Sequence, residues 1–195
     1  MREGEAILWR RLDVPGHDMA TIEPSVGGWL VSGVAIVVDT GRPCRVHYDV
    51  VCDERWGTRR CSLRGYVGAL PVALDIRRGA TGAWTLNGVE APSLQDCSDI
   101  DPGFTPATNL LPIRRLHLDV GQRADVRAAW IRFPEFAAEV LDQVYTREAV
   151  DRYLYESDGG AFRRELRVDP FGCVLDYPGL WRAEATVPLP ARRLR

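Results

Sequence analysis

The stretch Cys44-Arg45-Val46-His47-Tyr48-Asp49-Val50-Val51-Cys52 reads as a β-strand with one wet side. Side chains alternate across a strand, so Cys44, Val46, Tyr48, Val50 and Cys52 share one face, while Arg45, His47 and Asp49 share the other. The same period of two returns at residues 71–77, where Val72, Leu74 and Ile76 align. It returns again from Phe162 to Val168, with Phe162, Leu166 and Val168 on one side together with Arg164. Residues 28–39 are apolar on both faces and rich in valine, which predicts a central strand. Residues 136–145 are ambiguous in composition and read as strand.

Turn signals separate these runs. Asn87-Gly88 is the pair favoured in two-residue hairpins, because both central residues need positive φ. Ser157-Asp158-Gly159-Gly160 and Asp169-Pro170-Phe171-Gly172 each divide two strand-like runs, and Asp119-Val120-Gly121-Gln122 divides residues 113–118 from 124–133. Short alternating runs with frequent turns predict an antiparallel meander. Helix signals are confined to residues 108–115, where Thr108 or Asn109 caps a short turn and Pro112 sits near its start. With no repeat, linker or low-complexity tract, the 195 residues read as a single domain, 1–195. The expected fold class is all-β: a many-stranded, incompletely closed antiparallel barrel or β-roll with one or two short helices.

Composition narrows function mainly by exclusion. Net charge is −2, which argues against nucleic acid as a partner. All 25 basic residues are arginine, so lysine-based nucleophilic or Schiff-base chemistry is absent. The longest apolar stretch, residues 29–38, is too short to span a bilayer, and the start of the chain carries no apolar segment of signal-peptide length. The expectation is a cytoplasmic protein. Cysteines at 44, 52, 61, 97 and 173 are odd in number and lack zinc-site spacing, so buried or half-buried thiols in strands are expected and no cofactor is implied.

Two segments are more specific. One runs from Asp96 through Cys97-Ser98-Asp99-Ile100-Asp101-Pro102-Gly103-Phe104 to Thr108-Asn109-Leu110-Leu111-Pro112-Ile113-Arg114-Arg115. The other is Asp169-Pro170-Phe171-Gly172 followed by Asp176-Tyr177-Pro178-Gly179-Leu180-Trp181. Together with Tyr48-Asp49-Val50-Val51-Cys52-Asp53 and Trp56-Gly57-Thr58-Arg59, they resemble the bacterial "putative glycolipid-binding" family over nearly the whole chain. The resemblance implies an incompletely closed β-barrel, similar in shape to periplasmic lipoprotein carriers and to mycobacterial lipid-binding lipoproteins. It also implies an apolar concavity.

Such a concavity would take a lipid, glycolipid or other amphipathic molecule. Trp56, Tyr153, Tyr177 and Trp181 are the aromatic candidates for its tail, with Trp29 and Trp130 beside them; packing in the core is the alternative for each. Arg59, Arg114 and Arg115 are candidates for the head group. For Arg114 and Arg115 the alternative is an ion pair with Asp96, Asp99 or Asp101. Asn109 joins the candidate set, or else fixes its loop by satisfying backbone groups.

Other function classes rest on less. His47-x-Asp49 and His117-x-Asp119 place an imidazole and a carboxylate on one strand face, and Asp96, Asp99 and Asp101 offer paired acids, but no hydrolase or nucleotide motif accompanies them. No catalytic residue is assigned. An interaction module or homo-oligomer using an open barrel edge at residues 145–155 is the other alternative.

Overall fold

The computed structural model describes residues 4–190. Six long strands come first: β1 (Gly4–Arg11), β2 (Gly16–Ser25), β3 (Gly28–Asp39), β4 (Arg42–Asp53), β5 (Thr58–Val67) and β6 (Leu70–Arg78). Two short ones follow, β7 (Trp84–Leu86) and β8 (Val89–Glu90), then β9 (Asp99–Pro102) and the helix α1 (Leu110–Leu116). The chain continues through β10 (Arg123–Arg132), β11 (Ala137–Ala149), β12 (Arg152–Ser157), β13 (Phe162–Val168), β14 (Val174–Tyr177) and β15 (Trp181–Leu189).

All fifteen strands belong to one sheet, ordered β8-β7-β6-β5-β4-β3-β2-β1-β15-β14-β13-β12-β11-β10-β9. It consists of two meanders joined where β1 pairs with β15. Every pairing is antiparallel except β9 with β10, which is parallel and differs from the all-antiparallel expectation. The sheet curls but does not close. Its last strand comes to rest beside β5, where the Ile100 amide donates to Thr58 Oγ1 at 3.1 Å without a backbone ladder.

Burial follows the alternation. In β4, Cys44, Val46, Tyr48, Val50 and Cys52 are buried while Arg45, His47 and Asp49 face outward. Strand β3 spans Gly28–Asp39 as expected. Gly33 has a specific reason to be glycine: an added Cβ would lie 2.5 Å from Cζ and Oη of Tyr48, directly across the β3–β4 pair. Asn87 and Gly88 both take positive φ, 48° and 82°, as the β7–β8 turn requires. Trp9 and Trp84 are fully buried, and each indole N–H finds a backbone carbonyl, Val174 at 2.6 Å and Cys97 at 3.2 Å. All five cysteines are free and buried.

The helix sits inside the curl. Leu110, Leu111, Pro112 and Ile113 are buried. A seven-residue helix has little stability of its own, so packing holds it. It ends at His117 in the left-handed conformation, whose amide returns to the Ile113 carbonyl. The helix falls on the signals at 108–115, with Leu110 and Ile113 facing the same core at a spacing of three, and the run 113–118 before the Asp119–Gln122 turn is not a strand. His117-x-Asp119 consequently lies on no strand. Neither Thr108 nor Asn109 caps the helix with its side chain.

Candidate functional site

A cavity of about 480 Å³ lies against the second meander. Register explains its walls. Leu141 and Gln143 on β11 stand beside Ser157 and Tyr155 on β12, and Phe162 on β13 pairs with Ser157. Trp130 on β10 faces Asp101 on β9 across the parallel pair. Tyr177 and Trp181 pair across the β14–β15 turn. The segment carrying Gly103, Thr105 and Asn109 closes the far side. Trp130, Leu141, Tyr155, Phe162, Tyr177, Leu180 and Trp181 make the lining mostly apolar, with Asp101, Ser157 and Asn109 among its polar groups.

Aromatic packing stiffens this wall. Tyr155 meets Tyr145, Phe162 and Tyr177 edge to face, with centroids 5.2, 6.0 and 6.0 Å apart. Arginines cover the rim: Arg11 lies 5.4 Å from the Trp181 ring and Arg164 lies 4.6 Å from the Phe162 ring. Arg11 is itself held by two hydrogen bonds to Asp13.

One carboxylate, Asp101, lines the cavity, and a second, Asp18, lies behind it on the lining residue Thr105. Asp101 Oδ2 accepts from Gln143 Nε2 at 2.6 Å, and burial pushes its pKa up to about 6. Asp18, on β2, is fully buried and accepts hydrogen bonds from Tyr48 Oη at 2.9 Å and Thr105 Oγ1 at 2.5 Å. The Ala107 amide donates to Thr105 Oγ1, so this network ties β2 and β4 to the segment beneath the cavity. Desolvation pushes the Asp18 pKa up to about 7, outweighing the two hydroxyl hydrogen bonds that pull it down. Sequence reading gave Asp18 no role. Its signal was parity: an acid sharing the inward face of β2 with Ala20 and Ile22.

The eight candidates from the sequence fall in different places. Asn109, Tyr177 and Trp181 line the cavity. The Asn109 amide donates to Tyr145 Oη at 2.9 Å, so it serves a phenol where backbone groups were expected. Tyr153 and Arg114 line a separate hollow of about 220 Å³ that also holds Phe171 and Arg147. Trp56 is buried and stacks on Trp29 at 4.5 Å, and the Arg114 guanidinium lies over Trp56 and Phe171 at 5.5 and 5.2 Å. Arg59 pairs with Asp53 at 3.1 Å on the surface. Arg115 grips buried Asp99 through Nε and Nη2, at 3.1 and 2.5 Å, which fastens α1 to β9.

Other candidate groups are dispersed. Asp96 pairs with Arg127, Asp99 with Arg115, and Asp101 with Gln143, so the three acids do not act as one set. His47 is exposed, and Asp49 accepts from Ser32 Oγ at 2.6 Å. Tyr145, Tyr153 and Tyr155 are buried within the sheet, which corrects the expectation of an open edge at residues 145–155; the free edges are β8 and β9. Among the described residues no three His, Cys, Asp or Glu side chains gather as a metal site would, and no helix is long and apolar enough to cross a membrane.

These features define an open β-barrel with an internal helix and an aromatic-walled cavity. A family model described as "Putative glycolipid-binding" matches residues 6–183, and the chain belongs to that family. It is similar to a DUF1089 family protein from Pseudomonas aeruginosa, at 32% identity and a TM-score of 0.76, covering 85% of this chain and 91% of that one. It also resembles a beta-barrel-like protein of domain of unknown function DUF1849 from Brucella abortus. That likeness covers 96% and 98% of the two chains with a TM-score of 0.57 at 12% identity, and shows the fold alone. No curated protein matches the chain.

Proposed function

We propose that this protein binds an amphipathic molecule, with its apolar tail against the aromatic wall of the cavity and its polar end near Asp101, Asn109 and Ser157. The observation that carries the reading is the cavity itself. Its volume of about 480 Å³ falls inside the about 300–1,000 Å³ typical of small-molecule sites, and its lining combines a broad apolar wall with a few convergent polar groups. The family's description adds support, since a glycolipid is one such molecule. No arginine is among the residues lining this cavity, so the reading gives Arg59, Arg114 and Arg115 no contact with the ligand there.

The test is native mass spectrometry of freshly purified protein, followed by denaturing extraction of whatever is bound. A stoichiometric amphipathic adduct is expected. Leu141 lines the cavity and is only half-buried, so Leu141→Trp fills the space with little strain elsewhere. That variant is expected to lose the adduct at least tenfold while keeping its thermal midpoint within a few degrees. Equal occupancy in both proteins would remove the cavity from consideration. A second reading, pairing between two copies, is favoured by the free edge at β8 and its exposed Val89. A dimer mass in the same spectrum would support it.

A further inference from the structure

We propose that the polar end of the cavity takes a cation, and that the head group of the bound amphiphile is an ammonium held by Asp101 and the surrounding rings. The proposal rests on the amphiphile-binding reading above and narrows it to one head-group chemistry.

The charged side chains that line the cavity have one sign, while the Arg11 and Arg164 guanidiniums lie at its rim over Trp181 and Phe162. Asp101 and Asp158 are the charged side chains lining it; no arginine or histidine joins them, and the chain contains no lysine. Arg114 and Arg115, which follow the Asn109 segment, are occupied elsewhere. Arg115 is closed on Asp99 and Ser98, and Arg114 lies over Trp56 and Phe171 with Nη1 on the Phe171 carbonyl. An anionic head seated at the Asp101 end would meet a carboxylate and no lining cation, since the Arg11 and Arg164 guanidiniums stay over the Trp181 and Phe162 rings at the rim. The donors that remain are weak candidates as well. Thr105 gives its proton to Asp18, and Asn109 donates to Tyr145.

A cation meets the opposite situation. Asp101 Oδ2 accepts from Gln143, while Oδ1 has no hydrogen bond among the described residues. With its pKa near 6, the carboxylate is ionised at neutral pH. Its charge reaches the buried phenols of Tyr145, Tyr155 and Tyr177, whose pKa values desolvation has already raised and Asp101 raises further. The half-buried Asp101 shares the cavity lining with Trp130, Tyr155, Tyr177 and Trp181. A carboxylate in a cavity lined by Trp and Tyr is an environment that stabilises alkylammonium groups, by charge and by the ring quadrupoles together. The rim rings already do this: the Trp181 and Phe162 rings carry the Arg11 and Arg164 guanidiniums.

The test compares three probes of equal tail length, each below its micelle threshold: dodecyltrimethylammonium, dodecyl glucoside and dodecyl sulfate. Binding is read by calorimetry on the full chain. The ammonium probe is expected to bind at least tenfold more tightly than the glucoside, with the sulfate weakest. Asp101→Asn should erase that preference while leaving glucoside binding within threefold. Should Asp101→Asn fail to fold, the ranking of the three probes on the unaltered protein decides alone. Glucoside or sulfate binding as tightly as the ammonium overturns the proposal and leaves the amphiphile reading standing. Binding of none of the three overturns both.

Discussion

At the scale of single residues, Asp18 shows how the chain tolerates a carboxyl in its core. No cation faces it; Tyr48 and Thr105 supply hydroxyl donors, and Gly33 leaves room for the phenol. Because its folded pKa is raised to about 7, the native state holds the proton more tightly than the unfolded chain, where aspartate titrates near about 3.9. Stability contributed by this group is therefore full below about pH 4, falls as pH rises to about 7, and is flat above that. The span corresponds to on the order of 4 kcal/mol. Asp18→Asn should remove this slope. Urea unfolding of both proteins at several pH values checks it, and parallel curves across the window would show that Asp18 does not titrate there. Only part of this was legible beforehand. Parity exposes Asp18 as an acid on an apolar face, but its partners lie 30 and 87 residues away and no local pattern links them. Asn109 was recognisable as a fixing residue, yet its acceptor is 36 residues distant.

Among the elements, the strands were easiest to read, because a sheet with one face on the core writes its alternation into the sequence. Residues 44–52 needed no more than that, and residues 28–39 were marked by a valine-rich run apolar on both faces. Strand β9 escaped because four residues give too short a run to show a period, and its parallel partner requires a crossover that passes through α1. Helix α1 depends on such a neighbour. Arg115 in its last turn closes on Asp99, whose side chain is almost fully buried. Removing Arg115 leaves that carboxylate unanswered, and breaking a buried pair in this way costs about 3–5 kcal/mol. Arg115→Ala should lower stability by that amount in chemical denaturation, whereas the double replacement Arg115→Met with Asp99→Asn should recover part of it. A loss below about 1 kcal/mol in the single variant would mean the pair is screened by water.

For the whole molecule, the cavity was the least legible feature. Asp101, Trp130, Leu141, Tyr155, Phe162, Tyr177 and Trp181 come from seven strands, and a tyrosine facing a cavity has the same sequence signature as one facing the core. The seam where the curled, unclosed sheet meets itself was equally hidden, since it depends on a side chain. Thr58 Oγ1 is fully buried and receives the Ile100 amide where β9 meets β5. Thr58→Val keeps the shape but leaves that N–H without a partner, at a cost of about 1–3 kcal/mol. Hydrogen exchange should then quicken at Ile100 by roughly tenfold or more, with amides in β3 and β4 following only the global change. Uniform acceleration throughout would mean the seam opens only with complete unfolding.

The pairing of β1 with β15 also governs how the molecule is made. Apart from β9, each strand within a meander finds its partner a few residues away, so both halves are able to form hairpins as they leave the ribosome. Strand β1 waits with one edge bare until Trp181–Leu189 has been synthesised, and through that interval it offers backbone donors and acceptors to any passing strand. The nascent chain's greatest exposure to mispairing lies at the centre of the finished sheet, where the mature protein is best protected.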